Sequence, residues 1–241
     1  MELTQFLSPV DSDRARRTLA MLRRHSVQPF VLTGGLAVEL HRARLGLPAE
    51  KRPLNDMDFL VDKFDEIPPT LSADLLFRHV HPHDPPAKTL LQCVDPETAI
   101  RVDIFRACGS TVARAISIDL CGIAMRTISM EDLLARTARL CMDLAANVPL
   151  PAKHARDFLR LLPLLDSGGV EPAWQDHRKP KHPGSFAAAS HLLQELIATE
   201  EDLQIELARS QDLRATCSRC EPTDAFPLAD AATVLSLLGY C

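Results

Sequence analysis

The sequence predicts an α+β protein: a mixed sheet with flanking helices over residues 1–128, followed by a helical C-terminal region. Three observations carry that expectation. Apolar runs of strand length stand at residues 29–33, 57–61, 89–94 and 99–106, punctuated by Gly34-Gly35, a loop over 48–55 and Asp95-Pro96, the pattern of short sheet strands. Helical spacing appears between the first two runs and takes over after residue 129. The chain has 241 residues, 46% of them hydrophobic and 24% charged, enough to bury a sizeable core and too apolar for a disordered segment.

Along the chain, residues 11–25 place Ala15, Leu19 and Leu22 on one face with basic residues opposite. That predicts an amphipathic surface helix with Asp11 or Ser12 as cap. Residues 29–33 are too short for a helix, end at Gly34-Gly35 and precede a helical run through Leu36, Leu40 and Ala43, so they read as strand, glycine turn, helix. A loop over 48–55 leads into a strand at 57–61. Residues 68–83 predict a short helix, from Leu71, Leu75 and Leu76, and then a strand. The strands at 89–94 and 99–106 are separated by Asp95-Pro96, a turn signal.

Residues 115–128, rich in Ile and broken at Gly122, predict a hairpin or bent strand feeding a helix at 129–144. Ser129 and Asp132 are three apart there, close to a capping box. A further helix is expected at 152–162, before Pro163 and a turn at 167–169. Residues 171–184 hold three prolines without periodicity and predict a linker or exposed loop, while 185–215 predict one long helix through Leu192, Leu196, Leu203 and Leu207. A last short helix precedes Gly239. The expected organisation is a core at 1–128, a helical extension at 129–170 and a helical region with a Cys-rich tail at 171–241.

Charge and cysteine usage narrow the function classes. With 27 Lys and Arg against 32 Asp and Glu the net charge is −5, so the basic excess that drives non-specific binding to a phosphate backbone is missing. No apolar run is long enough to span a membrane, and the first ten residues lack the basic start and apolar stretch of a signal peptide. A cytoplasmic protein with no membrane partner is expected. Seven cysteines, an odd number, then read as reduced thiols or metal ligands.

The chemistry concentrates at Gly34-Gly35, Asp56-x-Asp58 and Asp103. On a strand, residues two apart point the same way, so Asp56 and Asp58 share a face. Asp103 lies mid-strand between Val102 and Ile104, and an adjacent strand could bring it beside that pair. Three converging carboxylates repel one another unless a divalent cation neutralises them, and magnesium is the expected ion. Such a site can bridge a triphosphate and activate a hydroxyl, while a glycine turn lets backbone N–H groups approach phosphate at a helix N-terminus. Phosphoryl or nucleotidyl transfer is the chemistry implied.

These residues resemble the DNA polymerase beta-like nucleotidyltransferases, marked by a Gly-Gly or Gly-Ser turn, an Asp-x-Asp or Asp-x-Glu pair and a later lone Asp. The likeness is closest to the minimal and abortive-infection type bacterial members, which include toxins of toxin–antitoxin pairs. Their pattern is met by Gly34, Gly35, Ala37, Arg52, Asp56, Met57, Asp58, Phe59 and Arg101-Val102-Asp103, and a further family helix by Lys153, His154 and Asp157. Where such proteins carry a helix Lys after the sheet, this chain has Arg136 and Thr137. The resemblance covers about residues 30–165.

What the resemblance implies is a nucleotidyltransferase fold and transfer of a nucleoside monophosphate from an NTP to a hydroxyl, with two magnesium ions. Asp56, Asp58 and Asp103 would be the catalytic carboxylates and metal ligands. Gly34, Gly35, Arg52, Lys153 and Asp157 would contact the nucleotide. The acceptor could be a tRNA end, a protein hydroxyl or a small molecule, and an antitoxin protein is an expected partner. The alternative is a catalytically weak or inactive nucleotide- or partner-binding module on the same fold.

Other residues have competing readings. Arg52 suits either a phosphate grip or a solvated loop, and Lys153 with Asp157, four apart on a helix, either a nucleotide contact or a surface ion pair. His79, His81 and His83 alternate, but Pro82 and Pro85 interrupt them, and His41 reads as a packing or surface residue. Cys217-x-x-Cys220 with Cys241 has the spacing of half a zinc site. A fourth ligand would come from His177, His182 or His191; free thiols and a redox pair are the other readings.

Overall fold

The computed structural model describes residues 1–25, 30–78, 90–146, 150–209 and 228–240. They form two packed units, one drawn from Met1–Ala107, Ala115–Ile128 and Arg219–Cys241, the other from Cys108–Arg114 and Ser129–Ser218.

The first unit is built on a mixed sheet of seven strands: β1 (Val31–Thr33), β2 (Asp56–Val61), β3 (Leu76–Arg78), β4 (Leu90–Asp95), β5 (Ile100–Arg106), β6 (Ile116–Leu120) and β7 (Ile123–Thr127). Their spatial order is β3-β4-β5-β2-β1-β7-β6. The β2–β5 and β1–β7 pairs are parallel and the other neighbours antiparallel. Alternation along β2 and β5 buries Met57, Phe59 and Val61 beside Val102 and Ile104 on one face. The opposite face receives Asp56, Asp58, Arg101 and Asp103, and the α+β expectation holds.

Turn chemistry matches the sequence at β6–β7. This is the hairpin expected at Gly122: Cys121 and Gly122 take φ of 54° and 76°, both central residues being left-handed as a two-residue turn of this hand requires. Asp119 Oδ1 accepts the Gly122 N–H at 2.9 Å.

Helix α1 (Pro9–Arg23) starts earlier than expected. Its cap is Ser8, whose side chain accepts the Asp11 N–H, with Pro9 in the first turn. Asp11 and Ser12 are therefore inside the helix, and the Ser-Pro pair was the start signal. Helix α2 (Gly34–Arg44) follows β1 directly, as the strand, glycine turn, helix reading requires.

The second unit is helical: α3 (Met130–Ala145), α4 (Ala152–Leu161), α5 (Ser167–His177), α6 (Phe186–Thr199) and α7 (Glu201–Arg209). Ser129 caps α3 by accepting the Asp132 N–H at 3.0 Å, as its spacing implied. The loop expected at 171–184 is corrected. Asp166 caps the N–H groups of Gly168 and Gly169, and Val170, Ala173, Trp174 and His177 are buried at helical spacing. The chain after α5 is fixed too, since Trp174 Nε1 donates to the Pro183 carbonyl at 3.0 Å and its ring stacks on His182.

The long helix expected at 185–215 is two helices, α6 capped by Ser185 and α7 opening on Glu201 and Asp202 after an extended Glu200. Residues beyond 209 in that expectation lie outside the described residues. Helix α8 (Ala231–Leu237), in the first unit, is the short helix expected before Gly239. Among the described residues no helix is long and apolar enough to cross a membrane.

Candidate active site

Strands β2 and β5 lie side by side in parallel register, Asp56 opposite Arg101 and Asp58 opposite Asp103. All four side chains therefore stand on one face of the sheet. Arg101 ties the face together: its Nη2 hydrogen-bonds Asp56 Oδ2, and its Nε donates to Asp103 Oδ2 at 2.9 Å. Asp103 is 4% exposed, with the buried Gln92 of β4 as its cross-strand neighbour. Burial pushes the Asp103 carboxyl up, to about 6, opposed by the Arg101 charge and reinforced by that of Asp56.

Asp58 packs on the start of α2. Gly34 has φ of +70°, and a Cβ placed there would lie 1.9 Å from Asp58 Oδ2. Only glycine meets both conditions without moving the carboxylate. Thr33, the N-cap residue, gives α2 no side-chain cap, and the helix N-terminus carries partial positive charge. The backbone N–H groups at the head of α2 and the carboxylates thus share one corner of the first unit.

The residues fit a divalent cation in type. Their donors are hard carboxylate oxygens, and Asp103 Oδ1 is buried without a hydrogen-bond partner. In the arrangement seen, the positive charge between Asp56 and Asp103 is the Arg101 guanidinium. Among the described residues no three His, Cys, Asp or Glu side chains are gathered as a metal cage.

Arg52 is not solvated. It is 9% exposed and its Nε lies 2.8 Å from Glu39 Oε1, itself 2% exposed. Its Nη1 lies 3.4 Å from where a Gly35 Cβ would stand, which keeps the guanidinium beside the first turn of α2. Glu39 Oε2 also accepts the Glu50 N–H at 3.0 Å, so one buried carboxylate holds the loop at both Glu50 and Arg52.

Lys153 and Asp157 lie on α4 in the second unit, Asp157 buried and Lys153 half-buried. Asp157 is therefore not half of an exposed surface pair. His41 is a packing residue whose buried Nε2 meets the Ile128 carbonyl at 2.8 Å. Of the histidines weighed for zinc, His177 is buried against Asp132 and His182 pairs with Asp143. His191 pairs with Glu195 on the surface of α6. Cys217, Cys220, Cys241, His79, His81 and His83 lie outside the described residues.

Sequence reasoning treated Arg101 as a motif letter and gave Glu39 and Gln92 no role. The signal for Arg101 was present: standing two residues before Asp103 on a strand, it had to share that face. Nothing local marked Glu39, because its partner Arg52 is distant in sequence.

No protein-family model matches the chain, and no curated protein matches it in sequence. Solved structures resemble it. An antigenic nucleotidyltransferase-like protein from Paracoccidioides brasiliensis is 14% identical with a TM-score of 0.46, over 86% of this chain and 96% of that one. The antibiotic-resistance factor ANT(2'')-Ia is 17% identical with a TM-score of 0.48, over 81% and 100%. The lincosamide antibiotic adenylyltransferase LnuA is 13% identical with a TM-score of 0.41, over 64% and 97%. At these identities the likeness is one of fold.

Proposed function

We propose that the chain is a magnesium-dependent nucleotidyltransferase of the DNA polymerase beta-like, minimal or abortive-infection type. It moves a nucleoside monophosphate from an NTP to a hydroxyl acceptor. The observation that carries this reading is the shared face of Asp56, Asp58 and Asp103 with Gly34 packed against Asp58 at the start of α2. The acceptor oxygen attacks the α-phosphorus, the bond from that phosphorus to the bridging oxygen breaks, and pyrophosphate leaves. Asp56, Asp58 and Asp103 would hold magnesium, which when bound would neutralise the triphosphate and activate the hydroxyl.

The N–H groups at the head of α2 seat phosphate oxygens, and glycine there allows the close approach. Arg52, held by Glu39, adds a cation beside Gly35. Asp103 takes the acceptor proton. Arg101, bridging Asp56 and Asp103, offsets the repulsion between them.

Calorimetry with each NTP tests this reading. Binding is expected to need magnesium and to vanish in the Asp56→Ala, Asp58→Ala double variant, and equal affinity in EDTA would remove the metal. Mass spectrometry of products from cell extract then identifies the acceptor. A second reading, a nucleotide- or partner-binding module without catalysis, is favoured by Arg101, whose guanidinium hydrogen-bonds both Asp56 and Asp103. Binding without any transfer product selects it.

A further inference from the structure

One buried threonine of the sheet is treated differently from the rest. Among the described residues Thr18, Thr33, Thr98, Thr111, Thr127 and Thr137 are buried. The hydroxyls of Thr18 and Thr98 bond each other, and those of Thr111, Thr127 and Thr137 donate to backbone carbonyls. Thr33 Oγ1, on a residue 0% exposed, has no hydrogen-bond partner. A hydroxyl shut away from water and left unpaired costs stability, so its retention on a strand, where valine would fit, calls for a use.

Its place in the sheet suggests the use. Thr33 ends β1 and is the N-cap residue of α2, where a threonine ordinarily accepts an N–H of the first helical turn. Thr33 gives α2 no such cap. The register sets Thr33 across from Asp58 on β2, Asp58 beside Asp103 on β5, and Asp103 across from Gln92 on β4. Cross-strand neighbours share a face, so these four side chains form one row across the sheet. Thr33 Oγ1, Asp103 Oδ1 and Gln92 Oε1 are each buried without a hydrogen-bond partner. Unpaired polar atoms gathered on one row point to a ligand that supplies what the protein does not.

At the Thr33 end of the row that ligand is an anion. The N-terminus of α2 carries partial positive charge, and Arg52 Nη1 lies 3.4 Å from where a Gly35 Cβ would stand. Gly34 and Gly35 offer no side-chain donor, and the hydroxyl next to them in sequence is that of Thr33. Asp58, across from Thr33, opposes an anion until a cation offsets its charge, so binding at this end should need magnesium.

We propose, resting on the nucleotidyl-transfer reading above, that Thr33 is a further nucleotide-binding residue whose hydroxyl donates to a phosphate oxygen of the triphosphate at the head of α2. The hydrogen bond that Thr33 lacks within the protein is made to the nucleotide. One substitution then moves stability and binding in opposite directions. Thr33→Val keeps the shape and the branched Cβ, removes the unsatisfied hydroxyl and removes the donor.

The test measures melting temperature without nucleotide, and calorimetric affinity for the magnesium complexes of ATP, GTP, CTP, UTP and tripolyphosphate, which has no base or sugar. Thr33→Val should melt about 2 °C or more above wild type. It should bind the preferred NTP about tenfold or more weakly, and tripolyphosphate weaker by the same factor. Thr33→Ser keeps the hydroxyl and gives up a buried methyl, so it should melt below wild type while its affinity stays within about threefold. A role in folding alone gives the reverse pattern, with Thr33→Val less stable and Thr33→Ser no better at binding, and overturns the proposal. Equal NTP affinity in wild type and Thr33→Val removes Thr33 from the site and leaves nucleotide binding standing. A loss with NTP that tripolyphosphate does not share overturns the phosphate contact. A wild type that binds none of these ligands overturns the nucleotide reading and the part of Thr33 in it together.

Discussion

Arg101 and Asp103, two residues apart on β5, are joined by a hydrogen bond of 2.9 Å from Nε to Oδ2, and the same guanidinium reaches across to Asp56 on β2. The relationship makes Arg101 the resident counter-charge of the acidic face. Removing one partner of a largely buried charge group leaves the others uncompensated, at a cost of about 3–5 kcal/mol when burial is deep. Arg101 is a quarter exposed, so solvent screening lowers that figure. Arg101→Gln should therefore melt several degrees below wild type in EDTA. Millimolar magnesium should recover more of that loss in the variant than it adds to the wild type, because the cation takes over the missing charge. Identical shifts on adding magnesium to both proteins would show that Arg101 and the ion do not share a place.

Gly34 and Gly35 are adjacent in sequence and unequal in their surroundings. Alanine at 34 meets a positive φ, costing about 1 kcal/mol, and a Cβ position 1.9 Å from Asp58 Oδ2. At 35 the nearest atom is Arg52 Nη1 at 3.4 Å, which a small side-chain movement relieves. Gly34→Ala should abolish NTP binding in calorimetry while Gly35→Ala weakens it about tenfold or less. The reverse ranking would place the phosphates away from Asp58.

The strand carrying the acidic pair was legible because Asp56-Met57-Asp58-Phe59 alternates and its face partner Arg101-Val102-Asp103 repeats the alternation. A local pattern sufficed there, since period two fixes the face before the neighbour is known. It failed at α5. Gly168, Gly169 and Pro172 are turn letters, yet Asp166 supplies the cap and Val170, Ala173, Trp174 and His177 supply the buried stripe. Tertiary burial of that stripe overrode poor local propensity. The pairing of Arg52 with Glu39, and of Asp132 with Arg114 and His177, joins residues far apart in sequence. No spacing rule reaches such pairs.

Asp132 is the keystone of the second unit. It is fully buried, and although burial opposes its charge, hydrogen bonds from Arg114, His177 and Ser129 hold its carboxyl well below the usual carboxylate range. A depressed folded-state pKa contributes stability that is present above the unfolded value, about 4, and is lost as pH falls below it. Asp132→Asn should lower stability by about 3 kcal/mol or more at neutral pH. The difference from wild type should shrink on acidification below about pH 4. Urea titrations at pH 7 and pH 3 measure both values. A gap between the two proteins that is constant with pH would mean that Asp132 is not charged in the fold.

Asp103 separates chemistry from binding. Its carboxyl is the most enclosed of the three, 4% exposed, with one oxygen on Arg101 and the other buried without a hydrogen-bond partner. If it takes the acceptor proton, its removal costs transition-state stabilisation far more than ground-state affinity for the triphosphate. Asp103→Asn preserves the shape and removes the charge. NTP affinity should stay within about tenfold, roughly 1.4 kcal/mol, and product formation should drop by about a hundredfold or more, the range for losing one general base. The comparison uses an acceptor found by labelling cell extract with radioactive NTP. A variant that labels as fast as wild type would take Asp103 out of the reaction. A loss of NTP affinity matching the loss of product would instead assign it to the nucleotide, beside Asp56 and Asp58.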